Sequence, residues 1–414
     1  MRYDAIIVGG GAAGLIAACA LALRGRRVVL LEKQPRVGRK LLSTGNGRCN
    51  LTNLRASAGD YHGARAAAQA ALKAWPPKKV MGFFEGLGVP CVPDEAGRVY
   101  PMSRQAASVL DALRLRCAEA GVEICTDFAV SSLVCPGDGF EARAADGRAA
   151  SGRCALVCTG GLAAPKLGAC GDGYRLLEGF GHRVTPRFPA IAALKTPPDA
   201  VRALKGIRAE GEIALLADGE ALRTEAGEAL FSETGVSGIA AMQLARLATQ
   251  VMNRGGRCEV RLNLAPGLDA AALLSHRAKQ LPERTMEDFL NGIVPRRLGQ
   301  ALAKSAGLEM SLAAKRLSDK QIARLAGALG GWTLPVTGVQ GFDQAQVTAG
   351  GASLKDFDIR CMQSLRAPGL FAAGEVLDVD GDCGGFNLQW AWSSALMAAE
   401  GIDSVLAKDC RIHQ

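Results

Sequence analysis

Three glycines near the N-terminus have the spacing of sites that bind a diphosphate. Gly9, Gly11 and Gly14 form the pattern G-x-G-x-x-G, and Glu32 follows the last of them by 18 residues. In such a site the first glycine allows a tight turn, the second lets a pyrophosphate approach the backbone, and the third lets a helix pack closely on a strand. The acidic residue accepts hydrogen bonds from the ribose hydroxyls of an adenosine. The predicted dinucleotide contacts of this region are Gly9, Gly11, Ala12, Ala13, Gly14 and Glu32.

Two further groups of residues could contact the rest of a dinucleotide. The first lies directly after Glu32, where small residues that let the main chain approach a ligand alternate with cations that suit a phosphate or a reduced flavin. The second lies near the C-terminus, where a strand over 369–373 precedes a glycine pair and a helix from about Asn387. The N–H groups of that helix would face the pyrimidine edge of a flavin. The two groups are Lys33, Arg39, Lys40, Gly45, Asn46, Gly47, Arg48 and Asn50, and Gly374, Glu375, Gly385, Phe386 and Asn387.

The Gly9–Gly14 motif lies in an apolar segment that could be a membrane helix, a signal peptide or a strand followed by a turn and a helix. Residues 5–23 carry no charge and nearly reach the length of about 20 residues that spans a bilayer. Three adjacent glycines, Gly9–Gly11, argue against both a membrane helix and a signal peptide. The segment instead predicts a strand over Tyr3–Val8, a glycine turn, a helix to about Arg24 and a second strand over Val28–Leu31. No membrane association is expected.

The stretch GRKLLSTGNGRCNLTN (38–53) resembles a signature of the aminoacetone-oxidase-like (BaiN/RdsA-like) family of bacterial FAD-binding oxidoreductases. Further similar stretches follow in order: GRVYPMSRQAASVLDAL (97–113), CTGGLAAPKLGACGDGY (158–174), GEALFSETGVSG (227–238) and LFAAGEVLDVDGDCGGFNLQWAWSSA (370–395). The resemblance implies a non-covalent FAD and hydride transfer between flavin N5 and a small or medium organic substrate, by amine oxidation or by reduction of a conjugated double bond. It adds Val130, Thr159 and Gly160 to the cofactor contacts.

The predicted fold is α/β, a glutathione-reductase-like Rossmann domain for FAD with an inserted β-rich domain that carries a helical subdomain. The FAD domain is expected at 1–185 plus 346–414. The β-rich insert is expected at 186–267 plus 330–345, where strand-like runs include EGEIALLADGEAL and GGRCEVRLNL. The helical subdomain is expected at 268–329, which has helical periodicity.

Composition limits the remaining choices. A chain of 414 residues with 49% hydrophobic and 21% charged residues is not intrinsically disordered. Its 13 cysteines form no C-x-x-C pair, which favours a reducing cytoplasm and excludes a redox-active dithiol. Four histidines, none spaced as a ligand pair, predict no metal site.

The net charge of +9 leaves open a flavoprotein that acts on RNA, although aromatic residues are sparse at 5% and no basic cluster stands out. An NAD-dependent dehydrogenase is the other alternative. Because no second G-x-G-x-x-G is present, NAD(P)H is a candidate electron donor only if it docks without its own Rossmann domain. The sequence identifies no catalytic acid or base and no oligomeric state.

We predict that the purified protein is yellow and carries one FAD per chain. Because motifs for both the adenosine and the flavin end are present, acid or heat should release intact FAD rather than FMN or NAD. Mass spectrometry of the released cofactor checks this result, and recovery of NAD, FMN or no cofactor would contradict it.

Overall fold

The structure of the protein, a computed structural model, describes residues 2–412. Met1 and residues 413 and 414, the ends of the predicted FAD domain, lie outside the described residues. The strands are β1 Arg2–Val8, β2 Val28–Leu31, β3 Thr52–Asn53, β4 Tyr61–Gly63, β5 Cys91–Pro93, β6 Arg98–Pro101, β7 Glu123–Cys125, β8 Val130–Val134, β9 Phe140–Ala144, β10 Ala149–Val157, β11 Phe188–Ala190, β12 Leu194–Lys195, β13 Arg208–Ala217, β14 Glu220–Phe231, β15 Gly235–Ser237, β16 Cys258–Asn263, β17 Trp332–Pro335, β18 Gly338–Val339, β19 Val347–Ala349, β20 Phe357–Asp358, β21 Gln363–Ser364, β22 Leu370–Ala372 and β23 Val379–Gly381.

The α-helices are α1 Ala12–Ala22, α2 Arg39–Ser43, α3 Arg65–Ala74, α4 Pro77–Gly86, α5 Ala106–Glu119, α6 Asp172–Glu178, α7 Pro198–Val201, α8 Ile239–Gln243, α9 Ala245–Asn253, α10 Ala270–Gln280, α11 Arg296–Ser305, α12 Asp319–Gly331 and α13 Phe386–Ile412. The chain divides into two compact units. The first unit contains the residues up to Phe188 and those from Val347 onward, and the second unit is Pro189–Gln346. The predicted α/β fold class with a Rossmann-type domain is confirmed.

A parallel sheet forms the centre of the first unit. Its strands run in the order β22, β10, β1, β2, β7, and each pairs with its neighbour in parallel. All four side chains of β2 are buried, because helices cover both faces of such a sheet. Helix α1 is buried from Ala13 to Ala22 and packs against α13 and α5. The sequence of α1 is apolar all round because all of its faces lie inside the core.

A small antiparallel extension joins this sheet. Strands β8 and β9 pair with each other, and β9 pairs with β10, so the three strands form a meander on one side of the parallel strands. Its turn residues, Asp146 and Gly147, separate β9 from β10. The meander therefore shares its longest strand, β10, with the central sheet.

The second unit has a seven-stranded sheet in the order β17, β16, β13, β14, β15, β12, β18. The neighbouring strands are antiparallel, and the long β13–β14 hairpin is its largest pair. Helices α10 and α11 lie inside the segment 268–329 that was expected to be helical, and α12 begins inside it and ends beyond it, at Gly331. Two more helices, α8 and α9, follow β15 in a region that we expected to be only β-rich. The four-residue apolar spacing of Leu244 and Ala248, both buried, is the helical signal that was overlooked.

No α-helix among residues 2–412 combines the length and the apolar character needed to cross a bilayer. The apolar segment at 5–23 is divided between β1, the glycine turn and α1.

A buried carboxylate ties two distant segments of the first unit together. Asp356, 4% exposed, accepts hydrogen bonds from the Nη2 atoms of Arg183 at 3.1 Å and Arg366 at 2.8 Å. It also accepts one from the backbone N–H of Arg183 at 3.0 Å. Burial alone would raise the pKa of Asp356, but these donors outweigh it and hold the pKa well below its ordinary value.

We predict that Asp356→Asn lowers the free energy of unfolding by about 1–3 kcal/mol near neutral pH, since both arginines are partly solvated. The stabilisation is complete above the ordinary aspartate pKa and is lost as the pH falls through the lower pKa of the folded state. Urea unfolding at neutral and at acid pH measures the free energy of unfolding of the wild type and of Asp356→Asn. The difference between the two proteins should be smaller at acid pH. Asp111→Asn, which removes an exposed pair with Arg114, is the control and should change little. If Asp356→Asn lowered the free energy of unfolding equally at both pH values, the low pKa of Asp356 in the folded state would be contradicted.

Candidate functional site

The carboxyl ends of neighbouring parallel strands bring three predicted regions together. Strands β2, β1, β10 and β22 lie side by side, and they end at Leu31, Val8, Val157 and Ala372. Each is followed within two residues by a predicted site residue: Glu32, Gly9, Thr159 and Gly374. Ligands of open α/β sheets bind in the crevice at this edge. The shared strand edge is why segments far apart in sequence can contribute to one site.

In the turn after β1, Gly9 and Gly14 are needed because a side chain at either position would clash with the backbone, whereas Gly11 has open space. Gly9 has φ +108°, and a Cβ there would lie 2.5 Å from the carbonyl oxygen of Cys158. A Cβ at Gly14 would overlap the carbonyl oxygen of Gly9. Gly11 differs, because its φ is −81° and a Cβ there would meet nothing within 4 Å. The open space at Gly11 faces the start of α1, whose N-cap makes no side-chain hydrogen bond and whose first turn has no acidic residue.

Glu32 braces the same turn. Its Oε2 accepts a hydrogen bond from the Gly10 N–H at 2.7 Å, and its Oε1 accepts one from the Gln34 N–H at 2.8 Å. Each carboxylate oxygen has a second lone pair, so acceptor capacity for ribose hydroxyls remains. The carbonyl oxygen of Glu32 accepts from the Phe128 N–H at 2.9 Å, which ties the chain just before Val130 to this strand end. Val130 itself begins β8 and is buried.

Two predicted cations after Glu32 are held by polar side chains. Lys33 Nζ lies 2.9 Å from Asp172 Oδ2 and 2.5 Å from Cys170 Sγ. Burial opposes the charge of Lys33, but these two partners outweigh it and raise its pKa. Arg39 donates to the side-chain oxygen of Gln34. Both charges are therefore anchored close to the adenosine end predicted for Glu32.

The loop from Thr44 to Cys49 has an unusual backbone. Gly45, Asn46, Gly47 and Cys49 all have positive φ, between +55° and +80°. For the non-glycine residues this left-handed region is strained, and such strain concentrates at functional sites. Helix α2 precedes the loop, so Arg39 and Lys40 are helical instead of lying in the continuous loop that the sequence suggested.

The far end of this loop meets the C-terminal glycine pair. A Cβ at Gly385, whose φ is +101°, would lie 2.7 Å from Asn50 Oδ1. Asn53 Nδ2 donates to the carbonyl oxygen of Gly384 at 3.0 Å. The two segments that the sequence assigned to the flavin end thus lie against each other, and α13 begins directly after them at Phe386.

The start of α13 is held by Asn387 of its first turn and by Tyr61 of β4. Asn387 Nδ2 donates to the Gly381 carbonyl oxygen at 2.7 Å, and its Oδ1 accepts from the Gly381 N–H at 2.8 Å. Tyr61 Oη donates to the Phe386 carbonyl oxygen at 3.0 Å. These bonds fix the direction in which the first turn of α13 points.

One ion pair links the segment after Glu32 to the C-terminal segment. Lys40 Nζ lies 2.7 Å from Glu375 Oε2, with both side chains about a quarter exposed or less. Glu375 Oε1 accepts from the Thr348 N–H at 2.9 Å. Thr348 Oγ1 accepts in turn from the N–H groups of Leu162 at 2.8 Å and Ala163 at 2.9 Å. Sequence reasoning missed Thr348, although the motif VTAGGASLKDFD around it was available as a signal.

Gly374 and Gly160 complete the strand edge. A Cβ at Gly374, with φ +77°, would lie 3.0 Å from the Cβ of Ala13, so the first turn of α1 packs directly on this glycine. Gly160 has φ +73° in the turn after Thr159. The glycines therefore permit backbone approaches that side chains would prevent.

The chain is similar to known proteins along nearly its whole length. A family model described as HI0933-like protein Rossmann domain matches residues 3–401. The 3-dehydro-bile acid delta(4,6)-reductase of Clostridium scindens is 36% identical over 399 residues, covering 95% of this chain and 97% of that protein. The ribosomal RNA dihydrouridine synthase of Escherichia coli is 30% identical over 411 residues, covering 98% and 99%. The chain belongs to the HI0933-like family.

The family that the resemblance indicated is thereby confirmed, and the protein is an FAD-dependent oxidoreductase. Among solved structures, 3-ketosteroid delta1-dehydrogenase from Sterolibacterium denitrificans is 14% identical with a TM-score of 0.54, covering 98% of this chain and 100% of that one. That likeness concerns the fold.

The residues of this HI0933-like protein fit FAD. Two of the predicted contacts, Asn50 Oδ1 and Thr159 Oγ1, are buried without a hydrogen-bond partner, and such atoms usually mark a missing ligand or water. The open space at Gly11 and the uncapped start of α1 suit a pyrophosphate. Glu32 has acceptor capacity left at the predicted adenosine end, and Asn50 lies at the predicted flavin end.

Cys49 does not supply a reactive thiolate in this arrangement. The side chain is fully buried, and that burial raises the pKa of its thiol to about 12. A thiol with this pKa stays protonated at neutral pH. Cys49 is therefore a small buried residue at the end of the strained loop.

Two open depressions of about 540 and 520 Å³ lie elsewhere, in the second unit. The first lies beside Gly211 and Gly227 of the β13–β14 hairpin, and the second beside Arg261 and Asn263 of β16. Neither is lined by a residue predicted to bind the cofactor.

We predict opposite consequences for two glycines of the same turn. Gly11→Val should fold and lose most of its FAD, retaining about a tenth or less, because the side chain enters the open space at the start of α1 without touching the protein. Gly14→Val should fold poorly, because its Cβ overlaps the backbone of Gly9. FAD content per folded protein and thermal unfolding separate the two effects. Normal FAD content in a folded Gly11→Val variant would remove this turn from the site.

Proposed function

We propose that the protein reduces a carbon–carbon double bond conjugated with a carbonyl group in a small organic substrate. The proposal is carried by one juxtaposition, that of Asn50 with Gly385 at the predicted flavin end. It occurs in a chain 36% identical to a 3-dehydro-bile acid delta(4,6)-reductase. A 3-oxo group next to a delta-4 double bond is a conjugated enone, so that relative's name describes the same kind of bond.

The chemistry divides between the cofactor and the chain. Reduction of a conjugated enone requires a hydride at the carbon β to the carbonyl and a proton at the α carbon. Reduced FAD, when bound, supplies the hydride from its N5 atom. The Gly9–Gly14 turn and the start of α1 hold the pyrophosphate, and Glu32 holds the adenosine ribose. At the other end, the N–H groups at the start of α13 favour negative charge.

NAD(P)H is the electron donor in this proposal. The chain has one G-x-G-x-x-G with a downstream acid and no second copy. A nicotinamide nucleotide therefore has to dock beside the flavin end without a Rossmann domain of its own, as a substrate that binds and leaves. Described cysteines such as Cys19, Cys49 and Cys117 are free thiols, which is compatible with a reducing compartment, and we place the protein in the cytoplasm.

A second candidate substrate is uridine in RNA. The ribosomal RNA dihydrouridine synthase is 30% identical over nearly the full length, and forming dihydrouridine also saturates a double bond conjugated with a carbonyl. The described surface argues against RNA, because its exposed large hydrophobic side chains are Leu, Ile and Met, with no aromatic ring among them. Single-stranded RNA recognition relies on aromatic stacking.

Anaerobic spectroscopy of the purified holoenzyme tests the proposal. NADH or NADPH should bleach the flavin absorbance, and a 3-oxo-4-ene steroid acid should then restore it while the saturated product forms. Primary amines should not bleach the flavin. Bleaching by an amine, together with no reoxidation by the enone, would contradict enone reduction and favour amine oxidation. Reoxidation by a uridine-containing RNA hairpin but not by the steroid would favour the second candidate.

A further inference from the structure

Two arginines and a tyrosine form a cluster next to the strained loop. The guanidinium carbon of Arg48 lies 5.6 Å from the centroid of the Tyr100 ring, and that of Arg104 lies 4.7 Å from it. Tyr100 lies in β6 and is 5% exposed, whereas both arginines are exposed. We call Arg48, Tyr100 and Arg104 the arginine cluster. The buried ring gives both cations a fixed surface to lie on.

The two charges of the arginine cluster have no acidic partner. Arg48 Nε donates to the carbonyl oxygen of Gly45 at 3.2 Å, and among the side chains described, those of residues 2–408, neither guanidinium forms an ion pair. Their neighbour Arg98, on the same strand as Tyr100, is paired with Asp94 at 2.8 Å. Both guanidinium groups lie within 6 Å of the centroid of one ring, and an anion bound beside either of them would gain a charge-assisted contact.

The backbone at Arg104 is held in a conformation that its side chain disfavours. Its φ is +54°, in the left-handed region, and its N–H donates to the Pro101 carbonyl oxygen at 2.8 Å. This turn directs a long cationic side chain back over Tyr100. A bulky residue in this region is uncommon, and such outliers point to functional positions.

The arginine cluster adjoins the predicted flavin end of the site. A Cβ at Gly45 would lie 3.7 Å from the Tyr100 ring, so the ring packs on the strained loop. The other end of that loop is Asn50, which lies against Gly385. Exposed apolar side chains flank both elements in sequence: Leu42 precedes the loop, and Met102, 68% exposed, follows Tyr100 by two residues.

We propose that the arginine cluster binds a carboxylate of the substrate, an inference that rests on the proposed reduction of an enone. Guanidinium groups match a carboxylate with paired hydrogen bonds, and the exposed Leu42 and Met102 suit an apolar body attached to it. A substrate with an apolar ring system and a carboxylate on a side chain has this chemistry. An RNA phosphate shares the negative charge, but the described surface lacks exposed aromatic side chains on which bases would stack.

The test separates binding from turnover. Calorimetric titration of the oxidised holoenzyme with a saturated 3-oxo steroid acid and with its neutral amide measures recognition without reduction. In Arg104→Gln the Kd for the acid should rise about tenfold, as expected for one partly solvated charge-assisted contact, and the Kd for the amide should not change. Arg104→Lys should restore part of the difference. Arg114→Gln, an exposed arginine on α5, is the matched control and should match the wild type.

Arg104→Gly addresses folding, because glycine accepts the positive φ and removes only the side chain. It should weaken acid binding as Arg104→Gln does while leaving thermal unfolding no lower than in the wild type. In turnover of the 3-oxo-4-ene acid, the Arg104 variants should raise KM and leave kcat unchanged.

Equal Kd values for acid and amide in the wild type, or an equal loss for both in Arg104→Gln, would overturn the arginine cluster as a carboxylate site while enone reduction could still be measured. Acid-selective binding without reduction would instead overturn the proposed function and support the cluster. Loss of binding to a uridine-containing RNA hairpin in Arg104→Gln, with steroid binding unchanged, would overturn the carboxylate assignment in favour of a phosphate.

Discussion

Helix α1 can lie against strand β1 only because residue 14 has no side chain. The carbonyl oxygen of Gly9 occupies the space that a Cβ of Gly14 would take. This contact brings the start of α1 over the carboxyl end of the central strand, between the ends of β2 and β10. The rest of the strand edge is built around it. Glu32 fixes the turn through Gly10, and Gly374 packs on the first turn of the helix.

Local sequence patterns predicted the parts of the site that depend on local geometry. The strand over Val28–Leu31 and the turn at Gly9–Gly14 are recognisable because hydrophobic runs and glycine spacing follow directly from strand and helix packing. The fold class was predicted for the same reason, whereas the family was predicted from the resemblance of stretches such as 38–53 to its signature. Glu32 was predicted as a ribose ligand, but its two hydrogen bonds to backbone N–H groups could not be read from its spacing.

The contacts between segments far apart in the chain could not be predicted from the sequence. Lys40 and Glu375 were both predicted to bind the cofactor, yet nothing in one chain indicates that they pair with each other. Thr348 joins them through Glu375 and was not predicted, because the stretch VTAGGASLKDFD that contains it does not show which of its residues donates to Glu375. Helices α8 and α9 were missed because the neighbouring strands dominated the interpretation of that region.

The cations near the predicted site differ in how far their charge is neutralised by a neighbouring acid. Lys33 and Lys40 are neutralised by Asp172 and Glu375, so they organise the site and contribute little net field. Arg48 and Arg104 keep their charges exposed beside the strained loop. A net charge of +9 therefore says less about partners than the position of individual unpaired cations such as Arg48 and Arg104.

The order of synthesis has a consequence for a site that is completed by the last part of the chain. Strand β22 pairs with β10 through Leu370 and Ala155, and α13 covers α1, but both are made only after the whole second unit. During synthesis on the ribosome, more than two hundred residues follow β10 before β22 and α13 are made. Until then, the surface of α1 that α13 covers and the edge of β10 that β22 pairs with stay exposed to solvent. Such exposure favours assistance by chaperones and makes early chain termination especially damaging. A nascent chain that carries the complete glycine turn still lacks Glu375, Gly385 and the start of α13, so under the proposed site the cofactor would be bound only at the end of synthesis.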